Sequence, residues 1–198
     1  MRRALTTTAL TAALAASLTA CGGATPLPPA PKVTTTAAPT PATASALPPS
    51  RPTGLRIPAA GVDAPRVVDL SVDPATGELG VPDPDTAADL PGWWTQGATP
   101  GEKGPAVLVA HFDTRHGPAL MRNVAKLRLG DVIETPREDG TTARFAIREI
   151  EDIPKAAFPT DKVYAGTPTP ELRLLTCGGE IKNGHRTNNI ILYATLLP

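Results

Sequence analysis

The stretch Glu171-Leu172-Arg173-Leu174-Leu175-Thr176-Cys177-Gly178-Gly179 reads as an apolar strand that runs into a thiol and then into two glycines. A cysteine at the end of a strand is held in place by the sheet. Glycines just after it let another backbone approach closely. The alternative for such a residue is a small buried hydrophobe, a role free cysteine often takes.

Outward from this stretch, the chain from Gly54 onward alternates short apolar runs with turn residues. The pattern predicts strands over Arg66–Val72, Ala106–His111, Asp131–Thr135, Ala143–Ile153, Glu171–Thr176 and Asn189–Leu196. Phe145 and Ile147 alternate with polar neighbours, as on a half-buried strand, whereas Val107-Leu108-Val109 and Ile190-Ile191-Leu192 are continuous apolar runs suited to burial on both faces. Pro100-Gly101, Gly130-Asp131 and Asp139-Gly140 mark turns between them. Leu120, Val124 and Leu127 recur at helical spacing and predict a short helix over Ala119–Leu127. Many strands and one or two short helices predict a mainly all-β domain, closed as a barrel.

The N-terminal part has a different character. Arg2-Arg3 precede an uncharged Ala/Leu/Thr run to Ala20, the layout of an export signal peptide. The run is too short and too weakly apolar to favour a permanent membrane span. It ends Leu18-Thr19-Ala20-Cys21, which resembles the bacterial lipobox, so Cys21 is the expected lipidation site and residues 1–21 the lipoprotein signal. The protein is then expected outside the cytoplasm, lipid-anchored to the outer face of the bacterial cytoplasmic membrane; several acyl chains on one residue anchor stably where one does not. Residues 22–54 are expected to form a disordered tether. Between residues 24 and 54, Pro, Thr and Ala supply 23 of 31 positions and only Lys32 and Arg51 are charged. In polyproline II such a segment would reach roughly 90 Å. The folded domain is expected over residues 55–198.

Composition narrows the function. With 19 basic and 19 acidic residues the net charge is zero, which argues against a nucleic-acid partner. Three scattered histidines and one thiol are poor zinc spacing, and nothing points to a cofactor or metal. If Cys21 carries lipid, Cys177 has no partner within the chain, and a lone exported thiol must be buried or used. A thiolate nucleophile needs a base or an imidazolium nearby, because free cysteine ionises only near pH 8.5. His111 ends a strand and can be fixed at a barrel rim. His116 and His185 fall in turns. Arg186, placed before the last strand, is the candidate for stabilising an oxyanion.

Taken in order, these residues resemble the sortase family. Arg56-Ile57-Pro58, Gly61-Val62-Asp63-Ala64-Pro65, Gly92-Trp93-Trp94, Gly97-Ala98-Thr99-Pro100-Gly101, Val107 to Asp113 with Gly117-Pro118, Leu127 with Gly130-Asp131, and Phe158-Pro159-Thr160-Asp161 carry the resemblance together with Leu172 to Gly179. It spans about residues 55 to 197 and is nearest to class F and related actinobacterial sortases. It implies an eight-stranded sortase barrel. Cys177 would attack the Thr–Gly bond of a C-terminal sorting motif such as Leu-Pro-x-Thr-Gly, and an amine of the cell wall or of another protein would resolve the thioacyl-enzyme. His111 would move the protons, Arg186 would hold the substrate carbonyl, and Thr176 would line the groove. The connection from Ile153 to Pro170 would match a long loop against the sorting motif. Ala110 stands where the family usually has Gly. His185-Arg186-Thr187-Asn188-Asn189 departs from the usual arginine segment, which leaves Arg173 as the alternative. Sortases usually have a transmembrane anchor in place of a lipid. Two other readings compete: a peptidoglycan L,D-transpeptidase, whose cysteine is preceded by Ser/Thr-His-Gly rather than Leu175-Thr176, and a catalytically degenerate sortase-like lipoprotein that binds peptide.

Overall fold

A computed structural model describes residues 27–38 and 44–198. The export signal and Cys21 lie outside the described residues. The strands are β1 (Thr36–Ala37), β2 (Leu55–Ile57), β3 (Val62–Ala64), β4 (Val68–Leu70), β5 (Gly92–Trp94), β6 (Gly104–Val109), β7 (Asp113–Thr114), β8 (Gly117–Pro118), β9 (Val132–Pro136) and β10 (Thr142–Pro154). A five-residue helix, α1 (Thr160–Tyr164), precedes two long strands, β11 (Pro170–Lys182) and β12 (His185–Leu196).

One curled sheet runs β3-β2-β9-β10-β12-β11-β6-β5-β4, with β1 added to β10; β7 and β8 form a separate hairpin. This is the mainly β, barrel-like class the strand pattern predicts. Ten strands join the large sheet, and β1 to β5 are pieces of two or three residues. The core sits inside the curl, where Phe145, Ile147, Leu108, Leu172, Leu174, Ile190 and Leu192 meet, all essentially inaccessible to water. A smaller cluster on the other side of the sheet joins Val107, Leu175, Ile191 and Tyr193 to Val163 of α1. Alternation along β11 accounts for the split, since successive side chains point to opposite faces.

Several elements differ from the sequence expectation. Ala119–Leu127 is not an α-helix but a series of turns with a 3-10 segment over Val124–Lys126. The amides that would start a helix are used elsewhere: Ala119 donates to the Phe112 carbonyl, Leu120 to Ala88 and Met121 to His111, and later bonds run i to i−3. The spacing did mark burial, because Leu120, Val124 and Leu127 all face the core. In the connection from Ile153 to Pro170, α1 is an added element. β11 does not stop at Thr176 but continues to Lys182, with a break in register between Gly178 and Ile181. The hairpin that follows turns at Asn183-Gly184, both at positive φ (53° and 79°). That is the pairing two-residue hairpins favour.

The proline-rich stretch, expected to be a tether, is in part laid against the domain. Val33, Ala44 and Leu47 pack on the core cluster. β1 pairs with Glu149 and Ile150 of β10, beyond the end of β9, which pairs only as far as Ala146. The Leu47 amide donates to the Gly101 carbonyl, and the Pro48 carbonyl accepts from Arg137. Such a segment needs no core of its own, because its few apolar side chains and solvated carbonyls are used by the sheet edge it follows.

Candidate functional site

Three neighbouring strands build the site. β6 lies parallel to β11, with Leu174 opposite Leu108 and Leu175 opposite Val109. The Ala110 amide extends that ladder by donating to the Leu175 carbonyl at 3.0 Å. Two further steps of the same register set His111 level with Cys177. On the other side of β11, Cys177 pairs with Asn189 and Ile181 pairs with Arg186. Arg186 therefore lies within β12, where a place before the strand was expected.

Cys177 is partly exposed and is in no disulfide. It opens onto two cavities. One, of about 610 Å³, is bounded by His111, Thr176, Val81, Phe158 and Tyr164. The other, of about 220 Å³, holds Arg186, Asp113, His185 and Leu27. The structure thus brings His111 and Thr176 to one side of the sulfur and Arg186 to the other. His116 is not among them: it lies exposed on Asp85 at 2.8 Å. Arg173 is buried at the outer face, on Glu171 at 2.5 Å and under the Tyr193 ring, which removes it as an alternative to Arg186.

Arg186 is held on all sides. Its Nη2 donates to Asp113 Oδ2 at 2.6 Å and Nε to the same oxygen at 3.1 Å, while Nη1 donates to the Gly179 carbonyl at 2.9 Å. The guanidinium also stacks over Phe112, 5.0 Å from the ring centre. Gly179 makes this possible. It sits at φ 72°, and a Cβ there would come within 2.4 Å of Thr187 Oγ1. The remaining contact of Nη2 is a peptide carbonyl, that of Pro28, at 2.5 Å. Leu27 and Pro28 of the N-terminal segment therefore occupy the arginine side of the site.

His111 Nε2 lies 2.6 Å from the Pro82 carbonyl, so the 81–82 stretch covers the imidazole. The floor of the larger cavity is braced by aromatic packing, with Trp94 edge-on to Tyr164 at 5.4 Å and Phe158 tilted against Tyr164 at 6.1 Å. Burial pushes the Cys177 thiol up, and Asp113 pushes the same way; Lys155 and Arg186 pull it down. Asp113 and Lys155 were not singled out in the sequence. The Val107–Asp113 run carried Asp113 in plain view, but only the fold sets it on Arg186. Among the described residues, no cluster of His, Cys, Asp or Glu could hold a metal ion, and no helix is long and apolar enough to cross a membrane.

The sortase domain family model matches residues 55–197. The chain belongs to the sortase family. No curated protein matches it by sequence. Solved sortases share the fold at low identity. The Clostridium perfringens sortase D5 transpeptidase aligns at TM-score 0.53 and 20% identity, over 75% of this chain and 79% of that one. Streptococcus agalactiae sortase C1 in complex with MTSET aligns at TM-score 0.56 and 18% identity, over 75% and 70% of the two chains. Sortase C-1 from Actinomyces oris aligns at TM-score 0.55 and 19% identity, over 73% of each chain. The sortase match begins at β2 and takes in β6, β11 and β12, the three strands that carry the site.

Proposed function

We propose that this sortase is a cysteine transpeptidase, nearest to class F, that cuts a C-terminal sorting motif of the Leu-Pro-x-Thr-Gly kind between Thr and Gly and passes the acyl group to an amine of peptidoglycan or of another protein. The observation that carries this reading is the Arg186–Pro28 contact. The guanidinium already receives a prolyl peptide carbonyl in the cavity into which the Cys177 sulfur opens. A substrate carbonyl needs the same donor.

In this mechanism the Cys177 thiolate attacks the threonine carbonyl carbon, and the carbonyl electrons move to oxygen, where Arg186 offsets the charge. The C–N bond breaks, and protonated His111 gives its proton to the departing glycine nitrogen. The thioester remains. An incoming amine loses a proton to His111, attacks the thioester carbon and expels the Cys177 thiolate. Two easier steps replace one difficult one. Thr176 and the aromatic floor line the groove for the motif.

The N-terminus supports a lipid anchor at Cys21 on the outer face of the cytoplasmic membrane. Five residues separate Cys21 from Leu27. With Leu27 docked, six extended steps hold the site within about 20 Å of the bilayer surface, far less than the full stretch to residue 54 would allow. Mass analysis of the N-terminal peptide from cells tests the anchor, with diacylglyceryl-Cys21 expected.

A second reading, a peptide-binding lipoprotein without turnover, is favoured by the covered imidazole of His111 and the raised thiol. Sorting-motif peptide incubated with hydroxylamine separates the two. Hydroxamate that disappears in Cys177→Ala supports the enzyme; tight binding without hydroxamate supports the binding protein.

A further inference from the structure

Cys177 and Lys155 are the two residues that border both cavities of the site. Lys155 follows the last residue of β10 and opens a short 3-10 turn, closed by the Phe158 amide on its carbonyl. The sheet explains how it reaches the sulfur. On β12, Asn189 pairs with Ile153 of β10 on one side and with Cys177 of β11 on the other; Asn188 likewise pairs with Pro154 and Gly178. β10 and β11 are thus two strand spacings apart, about 10 Å. The flexible four-carbon stem of Lys155, starting one residue past Pro154, is long enough to bring its ammonium over β12 to the cavity walls it shares with Cys177.

The other charges around the sulfur largely cancel or point elsewhere. Arg186 is paired with Asp113, and of that pair the carboxylate acts on the thiol more strongly than the guanidinium. Asp152, on the β10 side, is bonded to Asn188. Arg115 is paired with Asp85. His185 borders the smaller cavity and Glu78 the larger one, and His111 faces the Pro82 carbonyl. Lys155 forms no salt bridge among the described residues, and it lowers the thiol pKa more than any other group does.

We infer that Lys155 is the cation that offsets the burial of the Cys177 sulfur and favours its thiolate, a part that Arg186 cannot play while it is paired with Asp113. This rests on the reading of Cys177 as the nucleophile. The proton of the thiol leaves to water, and the resulting thiolate is paired with the ammonium at the boundary between the two cavities. Substrate can therefore enter from either side without displacing the charge that activates the sulfur.

The test is the pH dependence of iodoacetamide alkylation of Cys177 in the full chain, read by mass spectrometry of its peptide, alongside turnover of a sorting-motif peptide. Lys155→Met is expected to move the alkylation midpoint up by about one pH unit, a roughly tenfold slower reaction at neutral pH. Lys155→Arg restores most of the rate. Lys155 is exposed, so thermal melting of both variants stays at the wild-type value. An unchanged midpoint in Lys155→Met overturns the inference, while turnover that depends on Cys177 still upholds the transpeptidase. A shifted midpoint in a protein that never turns peptide over upholds the Lys155–Cys177 pair and refutes the sorting reaction instead.

Discussion

Arg186 and Asp113 form a buried pair, 2.6 Å from Nη2 to Oδ2, with side chains only 5% and 8% exposed. Asp113 aims the guanidinium and at the same time raises the neighbouring thiol. Asp113→Asn separates these effects. Turnover is expected to fall, because the guanidinium loses its charged anchor, while alkylation of Cys177 at neutral pH speeds up. Slower alkylation in this variant would show that the carboxylate does not act on the sulfur.

Arg186→Ala is expected to remove turnover by orders of magnitude and also to destabilise the domain, by roughly 3 to 5 kcal/mol, since it leaves Asp113 buried without a partner. Arg186→Lys keeps the charge but not the planar fork that reaches Asp113 and a carbonyl together. It should recover much of the melting temperature and little of the activity. Calorimetry and a peptide assay on both variants provide the check.

On the proposed function, a substrate carbonyl competes with the Pro28 carbonyl for the same Nη2. Removing residues 22–31 should therefore raise kcat/KM for a sorting-motif peptide, and a synthetic peptide spanning residues 24–33 should inhibit the shortened protein competitively. Equal activity with and without the segment would mean that substrate does not use this face of Arg186.

Much of this architecture can be read in the residues. The alternation around Phe145 and the continuous runs at Val107 and Ile190 mark real strands because burial on one face or two dictates the pattern directly. Where the reading failed, the deciding partner was distant in sequence. The helix expected over Ala119–Leu127 is undone by carbonyls of Phe112, Ala88 and His111, which no local pattern reveals. Composition hid the docking of residues 27–38, since Pro and Thr cannot make a core but can add to the edge of one. Arg186 is expected just before the last strand, whereas Asn183-Gly184, a strong hairpin signature, already sets the turn two residues earlier and leaves Arg186 inside the strand. His111 and Cys177 share a level because β6 and β11 run in parallel register, and only the fold supplies that.

A stability prediction concerns the outer face. Glu171 is flanked by Arg148 at 2.9 Å and Arg173 at 2.5 Å. Burial alone would raise its carboxyl, but the two guanidinium groups outweigh that and hold it below the ordinary glutamate value. Its stabilisation is therefore complete above the unfolded-state pKa and is lost as pH falls through the lower folded-state value. Glu171→Gln should lower stability at neutral pH by roughly 3 kcal/mol and flatten the acid limb of a melting-temperature profile. A parallel shift of the whole profile would rule out this carboxylate as the acid-sensitive group.

The most direct measurement is mass analysis of the full chain mixed with a Leu-Pro-x-Thr-Gly peptide, before any amine is added. An adduct on Cys177 equal to the peptide acylated through its threonine, absent in Cys177→Ala and discharged by hydroxylamine, is the predicted result. Intact peptide, with Cys177 unmodified while the peptide is bound, would contradict the account.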